Sequence, residues 1–173
     1  MNTDKVYLVG FMASGKSTVG RHLAARLRWR FEDIDHLIEV REQKTVAEIF
    51  ARHGEAYFRT VEREMLGVLQ PLRHVVIATG GGTFADPDNR AMINMDGASV
   101  WIDVPLNELV ARIPLDGRRP LAADRPALEQ LFAARVDKYR LAHLRVQASR
   151  SSASVVVDRI LDALHSAPGN WLS

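Results

Sequence analysis

The stretch KVYLVGFMASGKST, residues 5–18, decides how the rest of the chain is read. Its first five residues, Lys5–Val9, form a short apolar run and predict a buried strand. Gly10–Ser17 then fits the spacing G-x4-G-K-[ST]. From Lys16 to Arg28, Val19, Leu23 and Leu27 fall on one stripe and predict a helix. A strand, a glycine loop and a helix in this order are the context in which that motif binds phosphate; a chance glycine turn would not require all three. Gly10 and Gly15 permit backbone angles that aim successive N–H groups into a concave anion nest, and the helix start adds its positive dipole end. Lys16 is placed to reach β- and γ-phosphates and the Ser17 hydroxyl to ligate Mg²⁺. The loop points to nucleoside triphosphate binding and leaves the phosphate acceptor open.

Outside this stretch the composition narrows the class. The chain has 173 residues, 47% apolar and 25% charged, which suits one globular domain and excludes a disordered one. It has no Cys, which excludes a disulfide framework, cysteine-ligated zinc and a thiol nucleophile. No apolar run approaches the roughly 18 residues of a membrane span, and MNTDKVYLVGF lacks the basic leader and long apolar stretch of a signal peptide. A cytoplasmic protein with no membrane partner is expected. The net charge of +2 implies local anion sites rather than a nucleic-acid-coating surface, so no nucleic-acid partner is expected either.

Short β-branched runs alternate with helical segments. Further strands are expected near Arg30–Glu32, at His74–Thr79, at Ser99–Val104 and, weakly, at Leu144–Gln147. Helices are expected from about His36, from the capping box Thr45-x-x-Glu48 to near Gly54, and over Glu55–Leu69 with Phe58, Val61, Met65 and Val68 inward. Others are expected over Leu106–Arg112, Pro126–His143 and Ser154–Leu164. The tail SAPGNWLS is expected to fray. This alternation argues a parallel sheet covered on both faces, with functional loops at the carboxyl ends of its strands.

Several patterns near those ends have two readings each. Asp33 and Asp35 are either a carboxylate pair dividing Mg²⁺ and acceptor-hydroxyl work, or a turn and helix cap. Arg59 is either a surface arginine with helical partners Glu55 and Glu62, or a carboxylate-binding arginine oriented by Glu62. Gly80, Gly81 and Gly82 are either a plain turn or a place where a ligand approaches the backbone closely. Ile113–Arg125, with Arg118, Arg119 and Arg125 among Pro and Gly, is either a solvated basic loop or a lid that lands on phosphates. Arg135, taken alone, reads as exposed.

Together the pieces resemble shikimate kinase. The resemblance runs from Val6 to about Leu164 and is carried by GFMASGKST at 10–18, FEDID at 31–35, GEAYFRTVE at 54–62, TGGG at 79–82, RRPL at 118–121 and RVDKY at 135–139. It implies a five-stranded parallel sheet of order 2-3-1-4-5 with helices on both faces, in a nucleoside-monophosphate-kinase-like domain over 1–166. A lid at about 113–125 and a tail at 167–173 complete it. It also implies transfer of the ATP γ-phosphate to the 3-hydroxyl of shikimate, in aromatic amino-acid biosynthesis, by a monomer. By position, Asp35 resembles the residue that holds the acceptor hydroxyl, Arg59 and Arg135 the clamps on the shikimate carboxylate, and Gly80–Gly82 the surface under the substrate ring. Lys16 and Arg119 resemble the cations on the transferring phosphate, and Ala13, Ser14, Gly15, Lys16, Ser17 and Thr18 the ATP-holding loop. Ser17, and behind it Asp33, resemble the Mg²⁺ side, while Arg112 resembles the arginine that stacks on adenine. The chain departs from the family pattern twice. Arg150-Ser-Ser-Ala stands where the family has Arg-x-Pro, with Arg150 the candidate substitute, and the stretch between Pro120 and Arg135 is short. Rival readings are another metabolite kinase of the same fold, such as a gluconate kinase, and a non-catalytic ATP-binding module.

Overall fold

The computed structural model describes residues 3–113, 125–167 and 171. Five strands, β1 (Lys5–Val9), β2 (Arg30–Asp33), β3 (Val75–Ala78), β4 (Ala98–Asp103) and β5 (Leu144–Gln147), form one sheet in the order β2-β3-β1-β4-β5, all neighbours parallel. The order agrees with the expected 2-3-1-4-5. Every residue of the central strands β1 and β3 is buried, whereas the edge strands β2 and β5 are mostly half-buried or exposed. That gradient is what a parallel sheet covered on both faces requires, and it explains why the apolar central runs stood out in the sequence while Leu144–Gln147 was faint.

Seven helices flank the sheet among the described residues: α1 (Lys16–Leu27), α2 (Ile34–Glu42), α3 (Val46–Leu69), α4 (Pro87–Asp96), α5 (Leu106–Arg112), α6 (Arg125–Tyr139) and α7 (Ala153–Ser166). The Thr45–Glu48 capping box forms in full, and Gly54, at φ 80°, breaks α3 into the two helical pieces expected from the sequence. Gly20 lets α1 lie close on β2, since a Cβ there would stand 2.4 Å from the Phe31 ring.

Four expectations change. Val68 points to solvent and Leu69 is buried in its place. At about 100° per residue, Val68 lies roughly 80° from Phe58 around the helix and Leu69 only roughly 20°. Helix α4 was missed, although Asp86 caps it by accepting from the Asp88 and Asn89 amides and Pro87 opens it. Helix α6 stops at Tyr139 rather than His143. Trp171 does not fray: its N–H donates to the Leu164 carbonyl, its carbonyl accepts from Thr3 N–H at 2.8 Å, and its ring lies 5.0 Å from that of His143. Of the expected lid, residues 114–124, including Arg118 and Arg119, lie outside the described residues.

Candidate active site

The phosphate loop joins β1 to α1 at the carboxyl end of the sheet. Gly10 has φ 146° and Gly15 φ 91°, and Ala13 is also left-handed at φ 61°. Gly10 is further restricted by the Ile102 carbonyl on β4, 2.8 Å from where a Cβ would stand. Helix α1 starts at Gly15 with no side-chain cap and no acid in its first turn, whereas α2, α3, α4 and α7 each have a capping side chain. Its first amides therefore face the loop for an anion to bind. The buried Lys16 ammonium donates to the carbonyls of Gly10 at 2.9 Å and Phe11 at 2.7 Å, and to Ser14 Oγ at 3.3 Å, which holds a cation across the loop.

Asp33 caps a helix and also reaches the phosphate loop. One oxygen caps α2 through the His36 amide, and the other accepts from the Ser17 hydroxyl at 2.5 Å. A hydroxyl and a carboxylate beside a phosphate loop are hard oxygen donors of the kind Mg²⁺ takes while keeping waters and phosphate oxygens in the rest of its shell. Asp35 lies two residues on, in the first turn of α2.

Two cavities meet here. The larger, about 500 Å³, is lined by Ala13, Gly15, Lys16, Ser17 and Thr18 of the loop, and by Asp33 and Arg112. The smaller is lined by Phe50, Phe58, Arg59, Glu62, Gly80, Gly82 and Arg135. Met12, Asp35, Val46 and Gly81 border both. Asp35 is therefore the carboxylate at the passage between a phosphate cleft and an arginine-lined pocket.

Glu62 organises that pocket. It is fully buried; one oxygen accepts from Arg59 Nη1 at 2.9 Å and the other from the Thr83 hydroxyl at 2.5 Å. Burial draws the Arg59 guanidinium down, but the Glu62 and Glu55 carboxylates outweigh it and hold it above its ordinary value. Arg135, the residue that read as exposed, is only 7% exposed; burial lowers it, and the nearby Arg59 charge adds to the effect. Its guanidinium lies over the Phe11 ring, 5.7 Å from the centroid.

The three glycines make room for these side chains. A Cβ at Gly82 would stand 2.5 Å from Arg59 Nη2, one at Gly80 2.9 Å from Asp35 Oδ1, and one at Gly81 3.2 Å from Arg135 Nη1. None has a left-handed φ, so the need is for space and not for an unusual backbone. Sequence reading missed Val46 and Phe50, whose only signal was apolar spacing on α3, and Thr83 and Tyr139. Arg150 does not line the larger cavity. Its N–H donates at 3.1 Å to Glu108, which also accepts from Arg112 at 3.2 Å, so the loop after β5 is tied to α5 through one carboxylate.

The shikimate kinase family model matches residues 12–165. A shikimate kinase of Sulfurihydrogenibium sp. is 42% identical over 157 residues, 90% of this chain and 95% of that one. A solved shikimate kinase from Acinetobacter baumannii, in complex with shikimate, superposes with a TM-score of 0.91 at 35% identity, covering 95% and 94% of the two chains. The shikimate kinase of Aquifex aeolicus superposes at 0.86 with 36% identity, covering 93% and 96%. The family model and these relatives agree over nearly the whole length of the chain: the chain belongs to the shikimate kinase family.

Proposed function

We propose that this chain transfers the ATP γ-phosphate to the 3-hydroxyl of shikimate, with the roles divided between the two cavities. The observation that carries the proposal is the place of Asp35 on the border of both. Shikimate has a carboxylate at one end and hydroxyls at the other. Arg59 and Arg135 supply planar guanidinium forks for the carboxylate, and Gly80–Gly82 form the floor under the ring. Asp35, acceptor-only when ionised, takes the hydrogen bond of the attacking hydroxyl.

The hydroxyl oxygen forms the new bond to the γ-phosphorus, the bond to the β–γ bridging oxygen breaks, and Asp35 holds the departing proton. Lys16 and the amides of Ala13–Thr18 stabilise charge on the phosphates, since phosphoryl transfer depends on positioning and electrostatics more than on covalent help. Ser17 and Asp33 are the residues that would hold Mg²⁺, which would offset the charge on the phosphates. By resemblance Arg119 adds a further cation from 113–125, and Arg112 faces the adenine side. The domain spans 1–166, and the protein acts as a cytoplasmic monomer.

The test is a coupled assay with ATP, Mg²⁺ and a panel of hydroxy acids that includes shikimate, gluconate and a shikimate analogue lacking the carboxylate. Turnover confined to shikimate is expected. Preference for gluconate, or no turnover with any acceptor, would overturn the proposal.

A further inference from the structure

Tyr139 is 1% exposed and lies one helical turn after Arg135 on α6, so both side chains share a face. Its hydroxyl donates to the Gly81 carbonyl at 2.5 Å, across 58 residues of sequence. A tyrosine is buried this deeply only where its hydroxyl finds a partner. Here the partner is the backbone of the one glycine among the described residues that borders both cavities.

Gly81 is a junction. The position a Cβ would take there is 3.2 Å from Arg135 Nη1 and 3.3 Å from the Met12 amide nitrogen of the phosphate loop. The tyrosine ring lies 6.0 Å from Trp101, and Trp101 Cδ1 is 3.5 Å from the Cβ position of Gly10. Arg135, for its part, rests on Phe11 of the same loop. Tyr139 thus touches the acceptor pocket through Gly81 and packs towards the phosphate loop through Trp101.

The two clamp arginines are held differently. Arg59 is fixed by two carboxylates, Glu55 at 3.1 Å and Glu62 at 2.9 Å. Arg135 makes no ion pair among the described residues, and its guanidinium lies over the Phe11 ring. Burial raises the Tyr139 hydroxyl, with the nearby Arg135 acting against this, and it stays a neutral donor at any working pH.

We propose that Tyr139 is a positioning residue for the acceptor: its hydroxyl fixes the Gly81 carbonyl and thereby sets the floor of the pocket and Arg135 in register. The inference rests on the reading of Arg135 as a carboxylate clamp. Tyr139→Phe keeps the ring and removes only the tether. The expected result is a rise of roughly tenfold in the shikimate KM, the size of one well-made hydrogen bond. The ATP KM should stay within about twofold and the melting temperature within a few degrees.

Gly81→Ala disturbs the same junction without touching the tyrosine and should show the same split. Combined with Tyr139→Phe or with Arg135→Lys, the losses should fall short of additive. An unchanged shikimate KM in Tyr139→Phe, equal rises for both substrates, or strict additivity would overturn the positioning role. Arg135→Lys with a normal shikimate KM would instead overturn the clamp reading beneath it, so the two failures are told apart.

Discussion

At the scale of single residues, charge compensation separates the site's groups into those that bind and those that react. Arg59 is already neutralised by Glu62 and Glu55, while Arg135 is a buried cation with no ion pair among the described residues. On the proposed clamp reading, the acceptor's carboxylate would complete Arg135 more than it would complete Arg59. Arg135→Ala is therefore expected to raise the shikimate KM more than Arg59→Ala, with kcat less affected in both, as steady-state kinetics would measure. A carboxylate-free analogue should be poor for the unaltered enzyme and penalised little further by Arg59→Ala; if the two losses simply add, Arg59 does not read the carboxylate. Asp35→Asn should fail differently. It keeps the shape and removes the proton acceptor, so turnover should fall about 10²-fold or more with the ATP KM retained. Near-normal turnover would remove Asp35 from the mechanism.

At the scale of elements, two glycines separate packing from backbone strain. Gly82 has φ −97°, open to any residue, but its Cβ would collide with the Arg59 guanidinium. The colliding atoms end a flexible side chain, so the fold can yield while the clamp cannot. Gly82→Ala should melt near the unaltered temperature and lose shikimate affinity by tenfold or more; a large fall in melting temperature with affinity intact would refute this. Gly54 is the converse. Among the described residues nothing lies within 4 Å of its Cβ position, and the kink in α3 needs φ 80° and ψ 174°, a region essentially reserved for glycine. Gly54→Ala should cost about 1–3 kcal/mol in urea unfolding. The same kink separates the stretch bearing Val46 and Phe50 from the stretch bearing Phe58, Arg59 and Glu62, so one glycine lets a single helix wall the pocket with both.

At the scale of the whole molecule, a backbone hydrogen bond joins Thr3 to Trp171. Trp171 covers the His143 ring, and His143 Nδ1 accepts from the Ser99 amide at 3.2 Å at the start of β4. That bond requires Nδ1 to be unprotonated, and burial lowers the imidazole below its ordinary value. Between the lowered native value and the unfolded value near 6.5, the unfolded chain binds more protons. The contribution is thus present above about pH 6.5 and lost as pH falls through the native value. The gap in urea midpoint between the unaltered protein and His143→Gln should be larger at pH 7.5 than at pH 5; an equal gap would show that His143 does not titrate with folding.

The amino-acid sequence by itself determined the strand, glycine loop and helix from Lys5 to Leu27 and the parallel α/β class. Each rests on a pattern confined to a few adjacent positions: apolar runs, glycine spacing, a capping box. It carried the sheet order and the residue roles only through resemblance, because pairing between distant strands leaves no local mark. The tertiary structure alone decided that Arg135 is buried, since its surroundings are Phe11 and Gly81, far away in sequence. It decided that the three glycines exist for Arg59, Asp35 and Arg135, that Leu69 rather than Val68 faces the core, and that Trp171 is anchored. Periodicity states which residues are apolar along one helix; which face is covered, and by what, is fixed only when the sheet sets the helices against one another.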